Sequence, residues 1–508
     1  MSGGENGDLK ANQAEAAAAR LPARIEAWLE TWSDWLNPIL LKETRQALKS
    51  QAFSIPFLLL LLFGWIWSLG GLAAPGSEFS SSGGYMLVGY FWVLAFPLLV
   101  IVPMTAFRSL AAEYEDGTLE LVSITTLRAR QIVTGKLGSA VMQIALYGSA
   151  LAPCIAFTYM LGGVDILIIA LTLAYLVLAS IQLSAAGLVL AGVSRERHWQ
   201  LVLTVLFVLA LFGAYFVSSV TVTQTVTMQM LVEYDRPEFA WMVAAAGLSL
   251  VSFTVLFTLA AAARISFASD NRSSAIRVMM IVQQGIMAGL AAWAIALEGP
   301  QEEIAAMFAF TAGLYWYFMG MLINGENPYP SRRVQRGLPQ TFLSRSLFTL
   351  FTPGPATGFL FVVTNMAGGC FVVFLTAVTI GILQERFNNI PEIATVLTAA
   401  TCYVILYLGV GNLVMRLLQR QAHGEFVLTI FLHLLMALLG PIIPALFQYT
   451  LSRYFGSSYT RLQLPNYIWT CLELLNGPAA ALGVFALLLP VTAFILLLNF
   501  LAALRPMN

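Results

Sequence analysis

The feature that most restricts this chain is the recurrence of long apolar runs, each sufficient to cross a hydrocarbon core that needs about 20 residues of helix. Lipid offers no hydrogen-bond partner to an open backbone, so runs of this length specify helices. Twelve can be read, at approximately 53 to 74, 85 to 107, 137 to 161, 166 to 193, 200 to 223, 240 to 263, 276 to 297, 304 to 323, 357 to 383, 393 to 414, 427 to 449 and 479 to 503. Only 10% of the 508 residues are charged, against roughly a quarter in soluble domains. The expected fold is therefore an all-α polytopic membrane protein of about twelve transmembrane helices.

Lysine and arginine set the expected orientation, since they concentrate in cytoplasmic loops. With the N-terminus inside, every basic residue except Arg236, Arg386, Arg453 and Arg461 falls on the cytoplasmic side. Both termini are thus expected in the cytoplasm, and the plasma (inner) membrane is the expected location. Residues 1–22 read as a disordered tail. Residues 23–50 read as an amphipathic helix lying in the interface, because Trp28, Trp32, Trp35, Leu36, Ile39 and Leu40 recur at helical spacing beside Glu26, Glu30 and Asp34. Two six-helix membrane domains follow, 51–265 and 266–508, a 6+6 arrangement.

Several functions lose ground. Zero formal net charge gives no field to recruit nucleic acid. No acid lies near the centre of a span, whereas ion-coupled carriers place ionisable groups there. Gln143, Gln182, Asn365, Asn412 and Asn499 lie inside spans, where such residues more often bond to neighbouring helices than line a path. His198, His423 and His433 have no metal-ligand spacing, and the four cysteines form neither a CxxC pair nor a disulfide framework. The Gly135-Lys136 pair is not a nucleotide-binding loop, because Arg130 and Leu137 stand where glycine and Ser or Thr are required.

The charge that the spans lack is concentrated in one connection, "AAEYEDGTLELVSITTLRARQIVTGK", residues 111 to 136. Glu113, Asp116 and Glu120 fall on one helical face, with Leu119 and Val122 as an apolar ridge. The expected local structure is a short helix, a turn at Gly117, a second helix capped by Thr118, and a segment feeding the third span through Ile132, Val133 and Lys136.

This stretch resembles the first cytoplasmic loop of type-2 ABC exporter permeases, through Glu113, Glu115, Gly117, Thr118, Leu119, Glu120, Leu121, Thr125, Ile132, Val133, Gly135 and Lys136. "LNPILLKETRQALKS" resembles the same family's approach to its first span, through Asn37, Pro38, Lys42, Glu43 and Arg45. Thr126 departs from the family pattern, which has proline there. The resemblance covers residues 35 to 265. It implies a permease subunit of an exporter, not itself an enzyme, whose loop holds a coupling helix docking on a separate ABC ATPase subunit; ATP acts through that partner and no cofactor binds this chain directly. The implied docking residues are Glu113, Glu115, Gly117, Thr118, Glu120 and Leu121, with Lys136 as a basic anchor where the loop re-enters the membrane.

The rivals are an ATP-independent secondary carrier or channel, a membrane anchor or assembly subunit, and a membrane enzyme. The second long connection, 324 to 358, lacks the acidic signature. Its Arg332, Arg333, Arg336 and Arg345 fit binding to lipid phosphates or a second ATPase contact. A fused pair of permease halves and a homodimer both remain open, and Gly285 with Gly289 forms a GxxxG pair whose default reading is packing within the chain.

Overall fold

The computed structural model describes residues 37–73, 83–117, 127–161, 164–193, 197–227, 236–267, 269–326, 331–337, 339, 341, 344, 348–387, 389–419, 426–452, 459–476 and 481–504. Among them every long element is helical, and twelve helices are long and apolar enough to span a membrane. The protein is an all-α polytopic membrane protein. The elements are α1 (Pro38–Lys49), α2 (Gln51–Ala73), α3 (Gly83–Glu115), α4 (Ala129–Met160), α5 (Ile166–Ala191), α6 (Arg197–Thr227), α7 (Pro237–Ile265), α8 (Ser274–Glu298) and α9 (Glu302–Asn324). After the short α10 (Arg332–Arg336) come α11 (Pro355–Gln384), α12 (Ile390–Gln419), α13 (Phe426–Ser452), α14 (Tyr467–Asn476) and α15 (Ala481–Leu504).

The chain forms two compact units, and the division runs through α7: Phe253–Ile265 pack with the first, Val232–Ser252 with the second. The core of the first unit gathers Phe107, Leu110 and Ala111 of α3, Val133 of α4, Leu188 of α5, Phe207 and Leu211 of α6 and Ala261 of α7. Helix α3 is central, with 61% of its apolar window buried against 11% for α2. In the second unit α12 has the central place, packing Ala399, Cys402 and Tyr403 against Leu474 of α14 and Val484 and Leu488 of α15.

Helix α3 is interrupted by a π turn at Pro97–Ile101. Val102 N–H donates to Pro97 O, five residues back. Continuing that pattern, Leu98 O would accept from residue 103, which is proline and has no N–H. The Ser180 hydroxyl of α5 donates to Leu98 O instead, at 2.5 Å. Two prolines thus open the backbone, and a neighbouring helix closes the hydrogen bond.

Four of the polar residues inside spans, Gln143, Asn365, Asn412 and Asn499, are hydrogen-bonded within the protein. Thr105 donates to Gln143 (3.3 Å), Asn412 to Asn499 (2.9 Å), Asn499 to Gly409 O (3.1 Å) and Asn365 to Phe361 O (2.8 Å). His433 is buried with Nδ1 2.8 Å from Thr429 O. One expectation is corrected: a Cβ added at Gly285 or Gly289 meets nothing within 4 Å, so the GxxxG pair is an open face among the described residues and not a close contact within the chain.

Candidate functional site

The amphipathic segment before the first span forms α1, beginning at Pro38, while Trp28, Trp32, Trp35 and Leu36 lie outside the described residues. Asn37 caps it, accepting Ile39 N–H at 3.1 Å, and Pro38 occupies the first helical position, where a missing N–H costs nothing. One face of α1 turns to α4. Ile39 and Leu40 lie over Gly135 and Gly138, where a Cβ would come within 2.9 and 2.8 Å of them. Asn37 Nδ2 also donates to Gln131 O, and Gln131 Oε1 caps the start of α4 by accepting Arg128 N–H at 2.9 Å. On the other side of α1, Lys42, Arg45 and Lys49 are exposed at i, i+3 and i+7.

At the centre of this contact lies Lys136, only 2% exposed. Its ammonium donates to Glu43 of α1 (2.9 Å), Glu113 of α3 (3.0 Å) and Ser109 O of α3 (3.2 Å). An ammonium has three donors, and all three are used. Two segments far apart in sequence, 37–49 and the start of α4, therefore meet through Asn37, Glu43, Gly135 and Lys136.

No family model, curated protein or solved structure matches the chain.

The site residues expected from sequence separate accordingly. Glu113 faces inward to Lys136, so it does not share an outward docking face with Asp116; helix α3 ends at Glu115, and Asp116 is its C-cap. Glu115 is exposed. Gly117 has a φ of 66°, and a Cβ added to it would meet nothing within 4 Å, so the backbone conformation, not space, requires glycine there. Thr118, Glu120 and Leu121, with the rest of 118–126, lie outside the described residues. Lys136 is buried and ion-paired to Glu43 and Glu113. Ile132 and Val133 already belong to α4, which begins at Ala129, two turns before the apolar run.

A second charged cluster lies in the second unit, and sequence reasoning missed it. Arg277, fully buried at the start of α8, donates to Glu326 (2.8 Å), Leu350 O (2.5 Å) and Gly354 O (3.5 Å), and lies 5.6 Å from the centroid of Phe361. Glu326 also accepts Ser273 Oγ (2.6 Å) and Gly354 N–H (2.9 Å). The cluster thus joins both ends of the 327–353 connection. Within that connection Arg332 and Arg336 of α10 are exposed, and Arg333 pairs with Asp270 at 2.6 Å on the surface. Arg345 lies outside the described residues. The sole signal for this cluster was an arginine at the edge of an apolar run, which reads equally as an inside-positive residue. Among the described residues no group of three His, Cys, Asp or Glu side chains is placed to hold a metal.

Proposed function

We propose that this chain is the membrane permease subunit of an ATP-driven transporter, an exporter of the type-2 ABC class, driven by a separate ATPase. The supporting observation is the Lys136 cluster, which ties the neck of the acidic connection to α1, α3 and α4 together. A partner seated on the connection, at Glu115, Gly117, Thr118, Glu120 and Leu121, would pull on helices whose ends are fastened to each other. The displacement is then shared by three elements instead of being absorbed by a loose loop. Along α3 the π turn at Pro97–Ile101 supplies a place where the helix can bend, since its backbone bonding already departs from the α pattern.

In this reading the connection faces the cytoplasm of the plasma (inner) membrane, the partner hydrolyses ATP, and this chain contributes no catalytic group. Its output is a change in helix packing that moves cargo.

The test leaves the buried cluster alone. Glu115→Lys combined with Glu120→Lys reverses two charges on the connection and is expected to abolish co-purification of a nucleotide-hydrolysing partner, with unchanged membrane insertion and melting temperature. Undiminished co-purification by that double variant overturns the assignment of the docking site.

A further inference from the structure

The second unit contains an apolar cavity of about 460 Å³, bounded by α9, α12, α13 and α14, within the range of small-molecule sites. Among the described residues, no charged side chain lines it. Its polar groups come mainly from tyrosines, and three of these are already engaged: Tyr317 donates to His433 O (2.7 Å), Tyr403 to Leu464 O (2.6 Å) and Tyr407 to Pro465 O (2.6 Å). Their rings are left to line the void. A guest bringing a charge, amide or hydroxyl into it would lose hydration without gaining a partner. Hydrocarbon loses nothing there.

The opening identifies the source of that hydrocarbon. Met307, Phe310 and Leu314 line the cavity and are exposed, and they belong to α9, which is long and apolar enough to span the membrane. This side of the cavity therefore meets lipid tails. Helix α14, only 10 residues long, cannot span. It carries Tyr467 and Trp469 in its first turn, residue types that settle at headgroup depth, and turns Ile468 and Leu472 to the cavity. Tyr467 itself packs edge-on against Tyr407, with ring centroids 5.6 Å apart, so α14 is fastened to the wall it covers.

We propose that the cavity holds one acyl chain of a membrane phospholipid, inserted sideways past α9 and beneath α14, with the headgroup left at the interface. The assignment stands on the second unit alone and does not depend on the transport reading.

The experiment uses the full chain in phosphatidylcholine vesicles doped with a phosphatidylcholine bearing a diazirine near the end of one acyl chain. After irradiation, labelled peptides are mapped by mass spectrometry. Labelling is expected to concentrate on α9 and α14 and to exceed that of the exposed α2 residues Leu58 and Leu62, which report ordinary surrounding lipid. Ala400→Phe fills the cavity from α12 and Ala437→Phe from α13. Each is expected to lower α9 and α14 labelling by roughly tenfold, because excluding even two methylenes removes about that factor in affinity, while α2 labelling stays constant. Using both variants guards against one failing to fold, with melting temperature as the control. Cavity labelling no higher than that of α2, or unaffected in a folded variant, overturns the proposal in favour of surrounding lipid only. Displacement of the label by an equimolar free fatty acid overturns the phospholipid assignment in favour of a single-chain ligand.

Discussion

Lys136 in the first unit and Arg277 in the second each close the neck of a long polar connection, yet they are neutralised in different ways. Lys136 has two carboxylates, Glu43 and Glu113, and one carbonyl. Arg277 has one carboxylate among the described residues, Glu326, and its two Nη atoms also reach Leu350 O, Gly354 O and Thr357 Oγ1. The chemistry follows the cation: an ammonium is a compact charge that three acceptors can surround, whereas a guanidinium is a flat fork that reaches carbonyls on separate turns. The difference is one of redundancy. Either carboxylate at Lys136 can be lost with a counter-charge remaining, whereas Arg277 has no second carboxylate among the described residues to fall back on.

Removing the cations is expected to have the largest effect. Lys136→Met takes the counter-charge from two carboxylates and Arg277→Met takes it from one, so each should cost about 3–5 kcal/mol, read as a lowered melting temperature in lipid nanodiscs. Glu326→Gln comes next, at about 2–3 kcal/mol, because charge-assisted hydrogen bonds to Arg277 become neutral ones. Glu43→Gln and Glu113→Gln should each cost only about 1 kcal/mol. Their combination should exceed the sum of the two, as expected for partners of one group. Equal losses for Glu326→Gln and for either single change at Lys136 would break the contrast. The smallest effect is expected from Arg333→Ala: its pair with Asp270 is surface-exposed, and such pairs contribute about 0–1 kcal/mol.

The same contrast shows what the sequence could convey. Spans were legible because apolar runs are set by the thickness of the bilayer, and the helices observed lie over the runs read. The ends of α3 and α4 were not, because charged residues there look like the edge of a span. Glu113 and Lys136 neutralise each other, so both helices continue as regular structure beyond the apolar run, to Glu115 and back to Ala129. Spacing at i, i+3 and i+7 placed Glu113 on a face with Asp116, but periodicity does not say which neighbour a residue meets, and here Glu113 meets Lys136 of α4 while Asp116, the C-cap, is exposed. Glu43 and Lys136 were each visible as members of separate segments; their pairing across 93 residues required the fold. Arg277 was hidden for the opposite reason, since one cation at a span edge has an ordinary topological explanation.

Docking of a separate motor protein on the connection between α3 and α4 is the proposal on which the transport function rests. The most direct measurement places a photo-cross-linking amino acid at the exposed Glu115 position of the full chain in native membranes and identifies what it captures. The account predicts a cross-link to a nucleotide-hydrolysing protein, lost when Glu120→Lys is added. Capture only of lipid, or only of this chain's own segments, would contradict it.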